Sequence, residues 1–350
     1  MRPIQLLLGL TLWGLLSHCK SPSEIIKIKK DEQINGISFV APPNPIDSSH
    51  LVSVKKIGGN WVSLMPYAFL PTNEKILRFA TEKQPTQADS MKWQWWGEQP
   101  QGVRACIQLA QKSGLRVLLK PHVWLQKGDF TGHFVCENEA EWLAFEQSYE
   151  QYILQYAQMA EELNVPFFCI GTEWEKFLAA RPIFWNQLIE KVRHVYSGKL
   201  TYAENWDAYH RTNIWHKLDA IGVDAYFPLS DEANPSLEEL KNGWKIPKKG
   251  LKEAVNTYKI PVVFTEYGYP SVEYATQKPW ENNTQNSTNE ELQAKAYLAL
   301  YESLWQEEWF LGGFLWKWFP VYTEKHQQRD AFSPQGKKVE KVIQMYYQKK

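Results

Sequence analysis

The chain alternates between short β-rich segments and segments with helical periodicity, and this alternation constrains the fold more than any other feature. The eight β-rich segments are GISFV (36–40), NWVSLMPY (60–67), RVLLKPHVW (116–124), PFFCIGTEW (166–174), KLTYAENW (199–206), AIGVDAYFP (220–228), PVVFTEYGY (261–269) and GGFLWKWFP (312–320). Between most of them, apolar residues recur at the i, i+3, i+4 spacing of helices. Eight strand–helix units in about 310 residues predict an α/β fold, a single (β/α)8 TIM barrel over residues 35–350.

A doubly wound sheet is the structural alternative, because it also contains strands that are nearly continuous apolar runs. Such a sheet would more naturally carry a glycine-rich phosphate turn after its first strand. The first strand continues as ISFVAPPNP, and neither GxGxxG nor a Walker A motif occurs in the chain. The barrel is therefore favoured, and no nucleotide or other cofactor is predicted. The chain has 39 lysine and arginine residues and 39 aspartate and glutamate residues, so its formal net charge is zero. The absence of excess positive charge argues against a nucleic-acid partner.

The first nineteen residues have the layout of a signal peptide, with one arginine followed by an apolar run too short to span a bilayer comfortably. They resemble a bacterial lipoprotein signal with Cys19 as the lipidated residue, although His18 stands where a small residue is usual. An ordinary secretory signal and a buried N-terminal helix are the alternatives. Residues 20–34 are polar and suit a tether. We expect a monomer in the bacterial cell envelope, on the periplasmic side or the outer-membrane surface, held to the membrane only by lipid.

Two glutamates end predicted strands, Glu173 after PFFCIGT and Glu266 after PVVFT. A carboxylate at the end of a buried strand is costly unless it has partners or a function. By strand count the two lie on the fourth and seventh strands, and the carboxyl ends of all barrel strands meet at the active face. Two carboxyl groups at one pocket are the minimum for glycoside hydrolysis, so this pair is the candidate catalytic site.

The strand order and both glutamates, together with CIGTEW (169–174), DAIGVDAYFPL (219–229), FTEYGYPS (264–271) and DAFSPQGK (330–337), resemble clan A of the glycoside hydrolases. Within that clan the chain is most similar to the family 113 β-mannanases, from about residue 35 to the end. The resemblance implies a retaining double displacement on a β-linked glycan, with Glu173 as acid/base and Glu266 as nucleophile. β-1,4-Mannan is the first substrate expected, on the resemblance alone. Thr172 stands where many clan members have the asparagine that bonds the sugar 2-hydroxyl, which bears on sugar preference.

Other strand ends supply candidates for substrate binding. Tyr226 is expected to bond the nucleophile or to pack in the core. The resemblance places Trp316 where the clan commonly has a sugar-stacking aromatic, although Trp318 shares its strand parity. His122 and Trp124 end the third strand, where His122 would contact a sugar hydroxyl or Glu173. Lys120 has the parity of His122 and could also face the barrel.

The fifth strand offers Glu204 and Trp206 as further substrate-binding candidates. Glu204 is the main rival for a catalytic carboxylate, and we expect it to bind substrate or to make a structural hydrogen bond. Asp224 on the sixth strand is ambiguous in the same way, and Glu175 is expected to be solvated. The long segment 70–98 carries three tryptophans, which would form an outer sugar subsite or a plug that holds the loop. They are Trp93, Trp95 and Trp96.

Two rival functions remain. The first is a non-catalytic glycan-binding surface lipoprotein on the same barrel, which would have no need for both glutamates. The second is a hydrolase that uses a metal and His122. The histidines are scattered, with no HxH or HExxH pair, so no metal site is predicted. No GxSxG motif supports a serine hydrolase.

Overall fold

The computed structural model describes residues 27–82, 94–282 and 284–349. Within these ranges the strands are β1 Ile34–Phe39, β2 Trp61–Leu64, β3 Tyr67–Leu70, β4 Arg116–Leu119, β5 His122–Leu125, β6 Phe167–Thr172, β7 Lys199–Asn205, β8 Ile221–Asp224, β9 Val262–Tyr267 and β10 Phe310–Trp318. Eight of them pair in parallel and close into a barrel in the order β1-β10-β9-β8-β7-β6-β4-β2. This arrangement confirms the predicted (β/α)8 barrel.

The helices of the described residues are α1 Val52–Lys56, α2 Pro100–Lys112, α3 Glu139–Glu162, α4 Glu175–Ala180, α5 Pro182–Val195, α6 Leu237–Gly243, α7 Lys245–Tyr258, α8 Glu290–Leu304, α9 Glu324–Arg329 and α10 Val339–Tyr347. The longer helices α2, α3, α5, α8 and α10 lie where helical periodicity predicts them, and five further helices in the same ranges were not predicted. The two long helices α3 and α8 begin at asparagine caps, because Asn138 and Asn289 each accept a hydrogen bond from a backbone N–H three residues on. Helix α7 ends at Lys259 in a left-handed conformation.

The inside of the barrel changes from apolar to polar along the strands. Residues near the strand starts form an apolar cluster that includes Ile34, Trp61 and Phe167. Nearer the carboxyl ends the buried side chains are polar, and they include Ser38, Ser63, Lys120, Thr201, Asp224 and Thr265. Because buried polar groups need partners, this end of the barrel is where the fold can support a site.

Two segments predicted as single strands are each interrupted by a proline. The segment 60–67 divides into β2 and β3 around Pro66, and 116–124 divides into β4 and β5 around Pro121. Proline lacks the N–H that a strand ladder requires. Strands β3 and β5 pair with each other in a separate two-stranded parallel sheet, with Tyr67 opposite His122. This small sheet continues past the barrel rim and carries His122 and Trp124 over the barrel mouth.

The predicted signal segment 1–19 with Cys19, most of the tether, and Trp93 lie outside the described residues. Of the helices in the described ranges, none has both the length and the apolar character needed to cross a membrane.

Candidate active site

Glu266 near the end of β9 is buried, and both of its carboxylate oxygens accept hydrogen bonds. Lys120 Nζ donates to Oε1 at 2.7 Å, and the Tyr226 hydroxyl donates to Oε2 at 2.8 Å. The register between β8 and β9 shifts between Val223 and Asp224, so Glu266 pairs with Asp224. Such an irregularity redirects a side chain at a strand end. The carboxylate therefore has a fixed orientation at the barrel mouth.

Lys120 follows β4 and is completely buried. Its ammonium group lies between two carboxylates, because Nζ also donates to Asp224 Oδ1 at 2.8 Å. The same Asp224 oxygen accepts a 2.7 Å hydrogen bond from the Thr265 hydroxyl. Sequence reasoning did not include Lys120 and Asp224 in the site, although the strand parity of Lys120 and the strand-end position of Asp224 were the available signals.

Glu173 follows β6 with φ of 55°, a left-handed backbone conformation that is uncommon outside glycine. Its N–H donates to the carbonyl of Ala203 on β7 at 2.8 Å, which holds this conformation. The side chain is half-buried and lines the same cleft as Glu266. The two carboxyl groups therefore approach one space from different sides of the barrel.

The two glutamates differ in their electrostatic surroundings. Burial, followed by the charges of Asp224 and Glu266, raises the pKa of Glu173 well above its ordinary value. Burial and Asp224 also raise the pKa of Glu266, to about 7, but hydrogen bonds from Lys120 and Tyr226 act in the opposite direction. Among the described residues, Glu266 contacts a cation and Glu173 does not. Glu266 therefore ionises first, and Glu173 keeps its proton.

The cleft has a volume of about 330 Å³ and brings together most of the predicted site residues. Its lining includes His122, Trp124, Thr172, Glu173, Glu266 and Trp316, with Tyr67, Asp129 and Phe130 beside them. Thr172 Oγ1 and His122 Nε2 are buried and have no hydrogen-bond partner among the residues that the structure describes. Buried polar atoms of this kind are normally satisfied by water or a ligand. They are positioned to bond hydroxyl groups of a molecule in the cleft.

His122 Nε2 lies 3.7 Å from Glu266 Oε1, beyond hydrogen-bond distance. Burial and the neighbouring Lys120 charge lower the pKa of His122 well below its ordinary value, so its ring is neutral. A neutral imidazole nitrogen can donate to or accept from a hydroxyl group, depending on the tautomer.

Trp316 and Trp318 have different positions despite their shared parity. Trp316 lines the cleft. Trp318 is buried in the outer core, and its Nε1 donates to Ser53 Oγ at 3.1 Å. The peptide bond between Trp316 and Lys317 is cis. Trp124 on β5 is 52% exposed at the rim of the cleft.

The structure places Glu204 and Trp206 outside this cleft lining. Glu204 accepts hydrogen bonds from the Asn205 N–H at 2.9 Å and the Thr212 hydroxyl at 3.1 Å. Alternation along β7 directs Ala203 into the barrel and Glu204 away from it. Trp206 stacks on Trp280 with ring centroids 5.6 Å apart.

Other candidates also lie away from the two glutamates. Glu175 begins α4 and forms an ion pair with Arg211. Trp96 packs against the core, as the plug interpretation requires, whereas Trp95 is exposed and lines a separate apolar cleft that includes Phe319. Among the described residues, no group of three or more histidine, cysteine, aspartate or glutamate side chains is arranged to hold a metal ion.

A parallel (β/α)8 barrel with carboxyl groups at the ends of its fourth and seventh strands, β6 and β9, has the arrangement of a glycoside hydrolase. The model of Glycoside Hydrolase Family 113 matches residues 62–337. The chain therefore belongs to Glycoside Hydrolase Family 113, and the protein is a glycosidase.

Solved structures share the fold. The GH113 β-mannanase AaManA from Alicyclobacillus acidocaldarius, in complex with ManMIm, is 23% identical, with a TM-score of 0.76 over 90% of this chain and 97% of that chain. A GH113 β-1,4-mannanase is 24% identical, with a TM-score of 0.75 over 91% and 99%. A β-glucuronidase from Ruminococcus gnavus is 11% identical, with a TM-score of 0.60 over 90% of this chain and 50% of that chain. The comparison with curated proteins gives no match.

Proposed function

We propose that the protein is a retaining glycosidase that hydrolyses β-1,4-mannan through Glu266 and Glu173. The observation that carries the proposal is the unlike environment of two carboxyl groups in one cleft. Glu266 is held by a cation and a phenol, whereas Glu173 contacts no cation in the described part of the chain and keeps its proton. One group is thereby prepared to attack and the other to donate a proton.

In the first step, a Glu266 oxygen attacks the anomeric carbon and forms a covalent glycosyl ester. The bond to the leaving oxygen breaks, and its electron pair takes the proton of Glu173. In the second step, the Glu173 carboxylate removes a proton from water, and that water displaces Glu266 from the anomeric carbon. Glu173 is protonated again at the end, and two inversions give net retention.

Substrate contacts in this proposal come from the cleft lining. Trp316 offers a ring face to the sugar, while His122 and Thr172 offer their unpartnered atoms to its hydroxyl groups. Trp124 at the rim is exposed and would contact a neighbouring sugar unit. Mannan is proposed because family 113 structures with this fold are described as β-1,4-mannanases.

The test is sugar release from β-mannan, β-glucan and xylan by the full chain, beside Glu266→Ala and Glu173→Ala, with and without a chelator. Glu175→Gln is the matched control, because Glu175 lies two residues from Glu173 but pairs with Arg211 outside the cleft. We expect both alanine variants to lose release from mannan and the control to keep it. Binding of a glycan without release by the wild type would favour the non-catalytic glycan-binding alternative.

We also propose that residues 1–19 direct the chain to the bacterial cell envelope and that Cys19 is lipidated, with the monomeric domain tethered by residues 20–34. The proposal rests on the charged start, the short apolar run and the cysteine. Incorporation of a labelled fatty acid in the wild type and its loss in Cys19→Ala would support it. If the wild-type protein incorporates no labelled fatty acid, whether or not the segment 1–19 is cleaved off, the proposal is overturned.

A further inference from the structure

We propose that Lys120 and Asp224 are a positioning pair that fixes the orientation and the charge of Glu266 before substrate binds. Lys120 supplies the cation, and Asp224 limits how far that cation neutralises the nucleophile. This inference rests on the proposed function, in which Glu266 is the nucleophile.

The contacts define a chain of three buried charges. Lys120 Nζ lies 2.7 Å from Glu266 Oε1 and 2.8 Å from Asp224 Oδ1, and all three side chains have little or no exposure. An isolated buried ammonium would release its proton, because burial disfavours the charged form. Here the two carboxylates reverse that effect and raise the pKa of Lys120. The cation is therefore retained at every pH at which the enzyme would work.

The charge count distinguishes this arrangement from an ordinary structural ion pair. One ammonium is shared by two carboxylates, which leaves one net negative charge beside the cleft when all three groups are ionised. Cleavage of a glycosidic bond develops positive charge at the anomeric carbon. A fixed net negative charge stabilises that transition state without any rearrangement during the reaction. A one-to-one pair between Lys120 and Glu266 would cancel it.

Groups on the surrounding elements determine how this cluster titrates. The titratable groups that interact electrostatically with one or more of the three charges are Tyr67 on β3, His122 on β5, Cys169 on β6, Glu173 after β6, Glu204 on β7 and Tyr226 after β8. Burial raises the pKa of the tyrosines and the cysteine, so they remain neutral. His122 is neutral as well. Lys120 is therefore the positive charge among the described groups that face Glu266.

The decisive test removes the positive charge of Lys120 in one variant and the negative charge of Asp224 in another. The two changes should shift the titration of Glu266 in opposite directions. In a plot of kcat/KM against pH, the acidic limb is the low-pH side, on which activity rises with pH. Its midpoint reports the ionisation of the nucleophile in the free enzyme. We expect Lys120→Met to move this limb up by about one pH unit or more, because Glu266 loses its cation. We expect Asp224→Asn to move it down, because a like charge is removed. The double variant should lie between the two single variants.

Two further variants control the experiment. Lys120→Arg keeps the positive charge and should keep the acidic limb closer to the wild-type value than Lys120→Met does. Lys337→Met removes another buried ammonium, which bonds the Ala331 carbonyl at 2.9 Å instead of a cleft carboxylate. It should leave the limb in place. Limb shifts of the same sign in Lys120→Met and Asp224→Asn, or none in either variant, would overturn the proposal.

The same proteins give a readout that needs no substrate. The free energy of unfolding should fall more steeply with rising pH in Lys120→Met than in the wild type, and less steeply in Asp224→Asn. If the wild type hydrolyses no glycan, the proposed function fails while these slopes still test the charge pair. The other outcome is hydrolysis that depends on Glu266 while Lys120→Met and Asp224→Asn do not differ in the pH dependence of unfolding or in the acidic limb of kcat/KM. In that case the proposed role of the charge pair fails and the proposed function stands.

Discussion

The hydroxyl group of Tyr226 donates a 2.8 Å hydrogen bond to Oε2 of Glu266, on the opposite side of the carboxylate from Lys120. The two donors come from different parts of the barrel, Tyr226 after β8 and Lys120 after β4. Each carboxylate oxygen therefore has its own donor, and rotation of the carboxylate would break both bonds. The reactive group of the proposed nucleophile is held in place before substrate binds.

Tyr226→Phe should lower kcat/KM about 10- to 100-fold, since a hydrogen bond to a charged group contributes roughly 1.5–3 kcal/mol. The change is measured on soluble β-mannan. Tyr196→Phe is the control, because the Tyr196 hydroxyl bonds the Val165 carbonyl just before β6, at the other end of the barrel. Equal losses in both variants would contradict a specific role for Tyr226.

Glu173→Gln should lower kcat on mannan by roughly 100- to 10,000-fold, because the leaving oxygen loses its proton donor. On an aryl β-mannoside, whose leaving group needs little protonation, the first step should be far less affected. Azide needs no general base and should restore turnover by forming a β-mannosyl azide. Product analysis by NMR checks this outcome, and failure of azide to restore turnover would argue against Glu173 as the acid/base.

The two neighbouring tryptophans of β10 should respond differently to truncation. Trp316→Ala removes a ring from the cleft and should raise KM roughly tenfold with little change in unfolding. Trp318→Ala leaves a hole in the buried core and should lower the free energy of unfolding by about 3–5 kcal/mol. Kinetics and denaturant titration of both variants test the assignment, which the reverse pattern would contradict.

Glu204 should make stability depend on pH. Burial raises its pKa from 4.5 to about 7, despite hydrogen bonds from Asn205 and Thr212 that act in the opposite direction. A raised carboxyl pKa means that the folded state binds more protons than the unfolded state between these values, so rising pH destabilises the fold. Glu204→Gln cannot ionise. As the pH rises from 4.5 to 7, the free energy of unfolding of Glu204→Gln should therefore increase relative to that of the wild type by up to roughly 3 kcal/mol.

Denaturant titrations of both proteins at pH 4.5 and pH 7.5 measure this difference. Glu161→Gln is the control, because Glu161 is exposed and hydrogen bonds from Ser197 lower its pKa. Because Glu161 is exposed and its pKa is lowered, Glu161→Gln should not gain stability over the wild type as the pH rises. A gain equal to that of Glu204→Gln would contradict the prediction.

The order of elements and the strand-end positions of the two glutamates could be predicted from the sequence, because both depend on local pattern. Strand and helix periods are visible in the residues, and Glu173 and Glu266 end apolar runs. The direction of side chains near the barrel rim could not be predicted, since register shifts and proline interruptions change it locally. Trp318 therefore lies in the outer core although it shares the parity of Trp316.

The residues alone predict a (β/α)8 barrel with two glutamates at its mouth, because periodicity and strand-end position can be read from a linear chain. The difference between the surroundings of those two glutamates arises only in the folded barrel. Lys120 and Asp224 are 104 residues apart, and Lys120 and Glu266 are 146 residues apart. Their contacts arise when the barrel closes and brings distant strands to one rim. Coulomb interactions depend on distance in space and on burial, which barrel closure sets and sequence separation does not.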